Sequence, residues 1–394
     1  MKALLFERNV AKYAAAAVAG RLVPGKGAAV GPISLQDIDE PELPGAGWVR
    51  IRPRLSGICG SDLATIDGHS SRYFEPIVSF PFVPGHEVVG DLDDGAQPGQ
   101  RVVVVPILTC GVRGIDPICP QCSAGHPNRC ERIAFGHLEP GLQTGFCEST
   151  GGGWSISFVA HESQLVTVPD ALTDEEAVLI EPTACAVHAA RAVVAISSAA
   201  DPNDIVVIGA GTLGLLTVAA LRAVGHRGTI LVAAKHPAQR ELARSLGADQ
   251  VVAPNELHRT VRARAGAMVV GDQLTTGAST VVDCVGSDDS LAQALSIVAP
   301  GGEVVLLGMP GLRTSVDLTP LWHRETSLRG CYAYTADDFS TATALVATAD
   351  LGRLVTATYP LSRYRDAIDH AANAGERGAV KIAFDLRAEK ERSR

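Results

Sequence analysis

The fold of this chain is decided by residues 206–214, Val206-Val207-Ile208-Gly209-Ala210-Gly211-Thr212-Leu213-Gly214. A β-branched run enters a G-x-G-x-x-G turn, and an apolar helical pattern follows it. In such a turn the first glycine permits a tight bend, the second lets the backbone approach a pyrophosphate, and the third lets the helix pack closely on the strand. The free N–H groups at the helix start favour an anion. We predict that this turn binds a dinucleotide through Gly209, Gly211, Thr212, Leu213 and Gly214; the alternative is a purely structural strand–helix turn.

The sequence around this turn alternates between strand-like and helix-like patterns. Apolar runs typical of buried strands occupy residues 205–208, 229–233, 250–252, 280–285 and 303–307. Helical patterns cover residues 213–224, 239–246 and 290–298. Near-continuous apolar strands that alternate with helices are typical of a parallel sheet covered on both faces. We therefore predict an α/β fold with a doubly wound parallel sheet.

The remaining residues predict a second, β-rich domain. Residues 1–172 are rich in glycine and proline and carry short strand-like runs, such as 48–53 and 101–106. Thr173 is followed by three acidic residues, which is the pattern of a helix N-cap. From this residue on, an apolar helical pattern replaces the strand-like runs. We predict domains at 1–172 and 173–325, with residues 326–394 returning to the first domain.

Composition and charge exclude several classes of function. The 394 residues carry a formal net charge of −9, which argues against nucleic-acid and acidic-membrane partners. No window approaches the roughly 18 apolar residues that a membrane span needs. The N-terminal apolar run ends at Phe6, which is too short for the core of a secretion signal. With nine cysteines in such a chain, we expect a cytoplasmic protein with reduced thiols, some of which hold metal.

The second strand of the predicted sheet ends without an acidic residue. An acidic side chain there binds the ribose 2′-hydroxyl of NAD, whereas a small residue followed by cations suits the 2′-phosphate of NADP. Here Ala234 occupies the expected position, and Lys235 and His236 follow it. We predict that these three residues contribute to binding NADP(H) in preference to NAD(H). The alternative is that the two basic residues form only a solvated turn.

Four cysteines lie close together in one loop-rich segment: Cys110, Cys119, Cys122 and Cys130. Cys119 and Cys122 form a C-x2-C knuckle, and four thiolates are what a closed tetrahedral zinc site requires. We predict that these four cysteines hold a structural zinc in a lobe at about 108–132. The alternative is a group of reduced cysteines without metal.

Further candidate metal ligands are dispersed along the chain. Residues 57–62 offer the thiolate of Cys59, residues 85–87 offer His86 beside Glu87, and Glu181 is an acid in an apolar helical stretch. Taken singly, each has an ordinary interpretation as a core thiol, a turn histidine or a helix-end carboxylate. No periodicity joins them, so the residues alone leave their role open.

As a set, these motifs resemble the zinc-containing medium-chain dehydrogenase/reductase family, of the alcohol, polyol and threonine dehydrogenase kind. The resemblance covers nearly the whole chain and includes residues 57–62, 85–87, the cysteine lobe, 151–154, 181–188, 209–214, 282–286, 300–302 and 381–384. It implies a GroES-like catalytic domain, a Rossmann domain and an active site between them. It also implies a homodimer or homotetramer.

The resemblance implies a catalytic zinc held by Cys59, His86 and Glu181. Glu87 would be a neighbouring or exchanging ligand, and the role of Cys185 stays open. Further cofactor contacts are assigned to Val285, Gly286, Gly308 and Met309.

The resemblance also implies how a proton moves at this site. Asp62 would orient His86, and Ser61 would pass the substrate proton onward. Two positions depart from the family's pattern. Ala64 stands where some members carry a relay histidine, which leaves the exit route of the proton undefined, and Cys110 is displaced from Cys119 by several residues more than in most members.

The function expected from this resemblance is hydride transfer between NAD(P)(H) and an alcohol or carbonyl substrate, such as a polyol, a sugar derivative or a small alcohol. One alternative is an NADPH-dependent reductase of activated C=C bonds, and another is a non-catalytic protein that binds NADPH or zinc. The intact set of Cys59, His86 and Glu181 argues against C=C reduction, since that chemistry generally dispenses with a catalytic zinc. One catalytic and one structural zinc per chain would favour the dehydrogenase.

Overall fold

The computed structural model describes residues 1–196, 204–311 and 317–389. The chain divides into two units, one formed by Met1–Glu181 with Val346–Arg394 and the other by Pro182–Leu345. The sequence placed these divisions at 172/173 and 325/326, whereas the units change at 181/182 and 345/346, within two helices. Within the described residues, no helix is long and apolar enough to cross a membrane.

The helices and strands follow one another in three stretches of the chain. Residues 1–181 contain β1 (Lys2–Phe6), α1 (Val10–Leu22), α2 (Gly27–Val30), β2 (Ile33–Asp37), β3 (Trp48–Gly57), α3 (Gly60–Ile66), β4 (Val88–Leu92), β5 (Arg101–Val104), α4 (Pro120–Ser123), β6 (Phe158–His161), β7 (Leu165–Thr167), α5 (Asp174–Ala177) and the start of α6 (Ile180–Ile196). The next stretch contains β8 (Ile205–Ile208), α7 (Thr212–Ala223), β9 (Ile230–Ala233), α8 (Pro237–Ser245), β10 (Gln250–Val252), α9 (Pro254–Ala265), β11 (Val269–Val270), β12 (Gln273–Leu274), β13 (Ala278–Asp283), α10 (Asp288–Ile297), β14 (Val298–Leu306), α11 (Thr319–Arg324) and β15 (Ser327–Gly330). The last contains α12 (Ala336–Thr348), β16 (Val355–Tyr359), α13 (Tyr364–Ala372) and β17 (Lys381–Asp385).

The unit Pro182–Leu345 is built on a six-stranded sheet. Its strand order is β10-β9-β8-β13-β14-β15, and every neighbouring pair is parallel. This is the order of a doubly wound dinucleotide-binding fold, in which the first strand lies at the switch point. The apolar runs form the core: the side chains of Val206, Val281 and Val304 are almost fully buried. The predicted fold class is confirmed.

The helices α9, α11 and α12 were not predicted, and α9 shows the reason most clearly. Its sequence PNELHRTVRARA buries only Leu257 and Val261, which lie one helical turn apart. Two apolar positions among many polar ones give a weak periodic signal. The helix nevertheless forms, with Pro254 in its first turn and Gly266 in a left-handed conformation at its end.

The other unit contains a seven-stranded sheet. Six strands follow the order β16-β17-β3-β4-β5-β7, and β6 pairs with β3 beyond this path. The C-terminal strand β17 runs antiparallel to β3, with Ala383 opposite Gly57. This register places Lys381 beside the segment that follows β3, where the backbone N–H of Ile58 bonds to the carbonyl of Ile382 at 2.9 Å.

The sequence also missed a helical insertion between β1 and β2. These strands pair with each other, yet α1 and α2 lie between them in the chain. The alanine-rich patch 14–19 lies in the middle of α1. The buried carboxylate of Asp67 accepts hydrogen bonds from the backbone N–H groups of Gly25 (2.7 Å) and Gly27 (2.9 Å), which ties the insertion to the end of α3.

Candidate metal centres and cofactor turn

The loops after β3 and before β4 bring three candidate metal ligands together. Cys59 immediately precedes α3, and His86 and Glu87 immediately precede β4. Their ligand atoms all lie within 4.8 Å of one another. His86 and Glu87 are buried, and Cys59 is half-buried. A thiolate, an imidazole and a carboxylate are the donor types that zinc prefers.

Asp62 links the helix and the imidazole. One carboxylate oxygen accepts a 2.9 Å hydrogen bond from the backbone N–H of Cys59, at the N-terminus of α3. The other oxygen, Oδ1, lies 3.6 Å from Nδ1 of His86. Both atoms are buried and lack a hydrogen-bond partner among the described residues. Since His86 also bonds to Cys59, its other nitrogen, Nε2, is the one that faces the thiol.

The negative groups around His86 favour a positive charge at this cluster. Burial alone would lower the pKa of His86, but the charge of Asp62, the hydrogen bond with Cys59 and the charges of Cys59 and Glu181 raise it to about 10. The imidazole therefore takes up a proton where negative groups converge. A divalent metal ion would neutralise the same charge, so the residues present fit a zinc ion.

Glu181 lies outside the set of mutually close atoms. It is buried in the first turn of α6, and its charge acts on His86. Cys185, one turn further along α6, is half-buried. The structure therefore places Cys59, His86 and Glu87 together, and it places Glu181 within electrostatic reach of them.

Ser61 lies in the first turn of α3 and is half-buried. The hydroxyl of Thr65, one turn later, bonds to the carbonyl of Ser61 at 2.9 Å and to the hydroxyl of Ser70 at 2.8 Å. The backbone N–H of His69 bonds to the carbonyl of Ala64 at 2.7 Å. These hydrogen bonds fix the carbonyl groups of Ser61 and Ala64.

Sequence reasoning missed the cation at this site, Lys381. This lysine begins β17, and only 2% of it is exposed. Its ammonium forms an ion pair with Glu87 and donates a 3.0 Å hydrogen bond to the carbonyl of Ile58. The available signal was a lysine in an otherwise apolar strand, since a lysine is almost never fully buried unless it is paired.

The four cysteines of the lobe form a second cluster. The sulfur atoms of Cys110, Cys119, Cys122 and Cys130 lie within 4.8 Å of one another. Burial raises the pKa of Cys119, but the backbone N–H groups of Glu131 and Cys122 and the neighbouring thiols lower it to about 6. A lowered pKa favours the thiolate, which is the form in which a cysteine binds zinc. The insertion between Cys110 and Cys119 does not keep Cys110 from the cluster.

A buried arginine organises this lobe and was also missed. Arg113, which is fully buried, donates hydrogen bonds to the carbonyls of Leu108, Phe135, Leu138, Glu139 and Gly141. These bonds tie the inserted segment to residues 135–141. The charge of this buried arginine also interacts with the thiol groups of Cys110 and Cys130.

The G-x-G-x-x-G turn has the geometry of a phosphate-binding turn. Gly209 has a φ of +94°, and a Cβ on Gly214 would overlap the carbonyl of Gly209. A Cβ on Gly211 would meet no atom within 4 Å, so the backbone is open there. Gly211 is the N-cap residue of α7 and provides no side-chain cap, and the N-terminus of a helix is where an anion binds favourably.

The other predicted cofactor residues lie at the same edge of the sheet. Val285 and Gly286 follow β13, and their N–H groups bond to the side chain of Asp283 at 2.9 and 3.1 Å. A Cβ on Gly286 would lie 2.7 Å from the carbonyl of Gly308, which with Met309 follows β14. Parallel sheets bind ligands at the carboxyl ends of their strands.

The turn after β9 holds Ala234, Lys235 and His236. Ala234 is fully buried, Lys235 is exposed and His236 precedes α8. Arg240, which the sequence reasoning missed, bonds to the carbonyls of Ala234 (2.9 Å) and Lys235 (3.2 Å). Lys235, His236 and Arg240 are therefore three basic residues at or shortly after the end of β9.

Comparison with known proteins assigns both units to one family. Residues 45–170 match the model of the alcohol dehydrogenase GroES-like domain, and residues 212–348 match that of the zinc-binding dehydrogenase. The chain is 30% identical to an uncharacterised zinc-type alcohol dehydrogenase-like protein of Haemophilus influenzae, over 72% of this chain and 75% of that protein. It is 28% identical to the sorbitol dehydrogenase of Bacillus subtilis, over 82% of this chain and 86% of that enzyme.

A solved structure shares the fold. A protein of Sinorhizobium meliloti, bound to NADP, superposes with a TM-score of 0.69 at 24% identity, covering 90% of this chain and 96% of that one. The two domain matches agree with the strand order of the six-stranded sheet and with the presence of two clusters of possible metal ligands. The chain belongs to the zinc-containing medium-chain dehydrogenase/reductase family.

Proposed function

We propose that this protein is a zinc-dependent dehydrogenase that transfers hydride between NADP(H) and an alcohol or the corresponding carbonyl compound. The observation that carries the proposal is the buried cluster of Cys59, His86 and Glu87, whose ligand atoms lie within 4.8 Å of one another. A protein that used zinc only for its structure would need the four-cysteine cluster alone.

The residues that would hold the catalytic zinc are Cys59 and His86, together with Glu181, which the family resemblance assigns. Glu87, whose carboxylate lies within 4.8 Å of the ligand atoms of Cys59 and His86, would be a neighbouring or exchanging ligand. When bound, zinc acts as a Lewis acid that lowers the pKa of a coordinated hydroxyl, for water from near 16 to about 7. Three protein ligands leave one position for a substrate oxygen. Asp62 faces Nδ1 of His86 and thereby keeps Nε2 directed at the ligand cluster.

Ser61 would carry the proton of the substrate hydroxyl. It lies two residues after Cys59, in the first turn of α3, and a serine hydroxyl both accepts and donates a hydrogen bond. In alcohol oxidation Ser61 would accept the substrate proton as it passes its own proton to solvent water, while the hydride goes to the oxidised nicotinamide. In carbonyl reduction the same transfer runs in reverse.

The preference for NADP(H) is supported by charge at the end of β9. Ala234 leaves no carboxylate to repel a 2′-phosphate, and Lys235, His236 and Arg240 are close in sequence. Because Arg240 bonds to two carbonyls of this turn, it also fixes the turn's shape. A phosphate there would gain charge-assisted hydrogen bonds.

The substrate class we propose is a polyol, a sugar derivative or a small alcohol. The relative from Bacillus subtilis is a sorbitol dehydrogenase, and relatives from Aspergillus are named as D-xylulose reductases. We also propose that the protein is cytoplasmic, in keeping with nine cysteines and no disulfide among them. The homodimer or homotetramer that we propose is the one implied by the family resemblance.

The test is a zinc count followed by a substrate screen. Purified protein is expected to hold about two zinc ions per chain, and Cys59→Ser about one, with intact secondary structure. A panel of polyols, sugars and small alcohols is then screened by NADPH absorbance. A single zinc ion per chain in the wild type, or turnover by zinc-free Cys59→Ser, would overturn the proposal. If the wild type holds a single zinc ion and reduces an enone with NADPH, the C=C reductase is favoured.

A further inference from the structure

The buried ion pair between Lys381 and Glu87 adjoins the candidate catalytic metal site. Both side chains are only 2% exposed. Lys381 lies 323 positions from the carbonyl of Ile58 to which it bonds, so strand pairing alone brings it here. A buried lysine needs a specific partner to remain charged.

The surroundings of Lys381 are strongly anionic. The carboxylate of Glu87 forms an ion pair with Lys381, and the charges of Cys59 and Asp62 also act on it. A buried lysine that is paired in this way keeps its ammonium charge. It supplies one fixed positive charge next to the ligand atoms of the metal cluster.

The Glu87 carboxylate is thus shared between two possible partners. It belongs to the set of ligand atoms within 4.8 Å of one another, and it is also the partner of Lys381. The ammonium holds Oε2 and draws electron density from the carboxylate, so Glu87 binds a metal ion more weakly than an unpaired carboxylate would. The lysine and the metal therefore compete for this carboxylate.

We propose that Lys381 is a positioning residue that holds Glu87 back from the catalytic metal, so that Glu87 is an interchangeable neighbour and not a permanent ligand. This inference rests on the proposed function, because it requires a metal ion at the cluster. Without the lysine, Glu87 is left as a buried carboxylate whose remaining cationic partner is the metal ion. It then stays bound and fills the position that the substrate oxygen needs.

Packing against Gly57 supports this assignment. A Cβ on Gly57 would lie 2.7 Å from Cε of Lys381 and closer than 3.0 Å to the Glu87 carboxylate. The pair is therefore enclosed by backbone on one side. The ammonium is fixed on the other side by the carbonyl of Ile58, so the lysine has little room to move away from Glu87.

The experiment measures metal binding in the full-length protein carrying Lys381→Met, Glu87→Gln or both substitutions. Methionine keeps the length of the lysine stem without its charge. Zinc affinity is determined by competition with a chelator, and the Cys59→Ser variant identifies which ion belongs to this site. Cobalt(II) replaces zinc for absorption spectra, because the intensity of its visible bands reports the number of ligands.

We expect Lys381→Met to bind zinc at this site at least about tenfold more tightly, because Glu87 then joins the ligands. The size is taken from the changes, there losses, that follow the removal of partners which orient metal ligands. Its cobalt spectrum is expected to lose intensity as Glu87 joins the ligands. Both effects disappear in the Glu87→Gln background if they act through Glu87. A gain that persists in that background would reflect only the removal of a positive charge and would overturn the proposal.

Two further outcomes separate this inference from the proposed function. If the wild type binds no metal at the Cys59 site, the proposed function fails and this inference with it. If the wild type binds zinc there and folded Lys381→Met gives the same affinity and the same cobalt spectrum, only this inference is wrong. If Lys381→Met fails to fold, the double variant is compared with Glu87→Gln alone, because neither buried carboxylate nor lysine is then left unpaired in the double variant. Equal zinc affinity of these two variants supports the proposal, and a difference overturns it.

Discussion

Asp62 faces His86 across 3.6 Å, with Oδ1 of the carboxylate directed at Nδ1 of the imidazole. Both side chains are buried, and the second oxygen of Asp62 bonds to the N–H of Cys59. One carboxylate therefore fixes the N-terminus of α3 and the orientation of a candidate metal ligand. A small shift of the ring would close this gap to a hydrogen bond, for which 3.6 Å is too long.

Asp62→Asn removes the negative charge but keeps an oxygen that can cap α3. We expect zinc affinity at the Cys59 site to fall by about 10- to 100-fold, because a neutral amide orients and polarises the imidazole less well. Chelator competition measures this affinity. The exposed Asp289→Asn, in the first turn of α10, is the matched control and is expected to leave it unchanged. Unchanged affinity in Asp62→Asn would show that Asp62 serves the helix alone.

Gly57→Ala inserts a methyl group beside the Lys381–Glu87 pair. The new Cβ would lie 2.7 Å from Cε of Lys381, so the pair or the strand must shift. Overpacking of this kind costs about 1–3 kcal/mol of unfolding free energy. Denaturant unfolding measures the loss. Gly60→Ala is the control because a Cβ there meets no atom within 4 Å; equal stability of the two variants would contradict the packing argument.

Cys119→Ser removes one sulfur from the four-cysteine cluster. We expect about one zinc ion fewer per chain and rapid proteolysis within the lobe, since metal binding can supply about 10 kcal/mol of folding free energy. Zinc analysis and limited trypsin digestion provide the measurements. Cys147→Ser changes a buried thiol outside the cluster and should keep both ions. Full zinc content in Cys119→Ser would contradict a structural zinc.

Ala234→Asp places a carboxylate at the end of β9. We expect the ratio of kcat/KM for NADPH over NADH to fall by about 10- to 100-fold, since charged hydrogen bonds contribute about 1.5–3 kcal/mol. Steady-state kinetics with both cofactors measures this ratio. Arg244→Ala, which removes an exposed charge from α8, is the control. A strong preference of the wild type for NADH would refute the prediction before any variant is made.

Asp338 makes the stability of its unit depend on pH. It is buried and accepts hydrogen bonds from His188 (2.7 Å), Arg191 (2.8 Å) and the backbone of Thr335 (2.9 Å). Burial raises the pKa of Asp338, but the bonds from His188 and Thr335 outweigh it and lower the pKa to about 2. Because the folded value is depressed, the stabilisation is complete above about pH 4 and is lost as the pH falls towards about 2.

Asp338→Asn is therefore expected to cost about 2 kcal/mol of unfolding free energy at neutral pH. The difference from the wild type should shrink below about pH 4. Urea unfolding between neutral pH and the lowest pH at which the wild type folds measures both effects. Asp337→Asn, an exposed neighbour in the same helical turn, is the control. A difference that is independent of pH would contradict this origin.

The sequence by itself determined the parallel sheet, its G-x-G-x-x-G turn and the four-cysteine cluster. The strands of the sheet are short buried runs whose apolar residues are contiguous, and the turn between β8 and α7 needs glycine at fixed positions. The cysteines lie within 21 residues of one another. Each of these signals is local, so each can be recognised before the chain folds. Even so, α9 and the insertion of α1 and α2 were missed because their apolar periodicity is weak.

Only the tertiary structure decided how the dispersed ligands meet. Cys59 and His86 are brought together by the ends of two neighbouring strands, β3 and β4. The sequence around each residue gives no sign of this contact. The position of Lys381 depends on β17 pairing with β3, across more than 300 residues. A buried cation becomes stable only when the fold supplies its partner, and Glu87 is that partner. The charge balance of the candidate metal site is therefore a property of the folded chain.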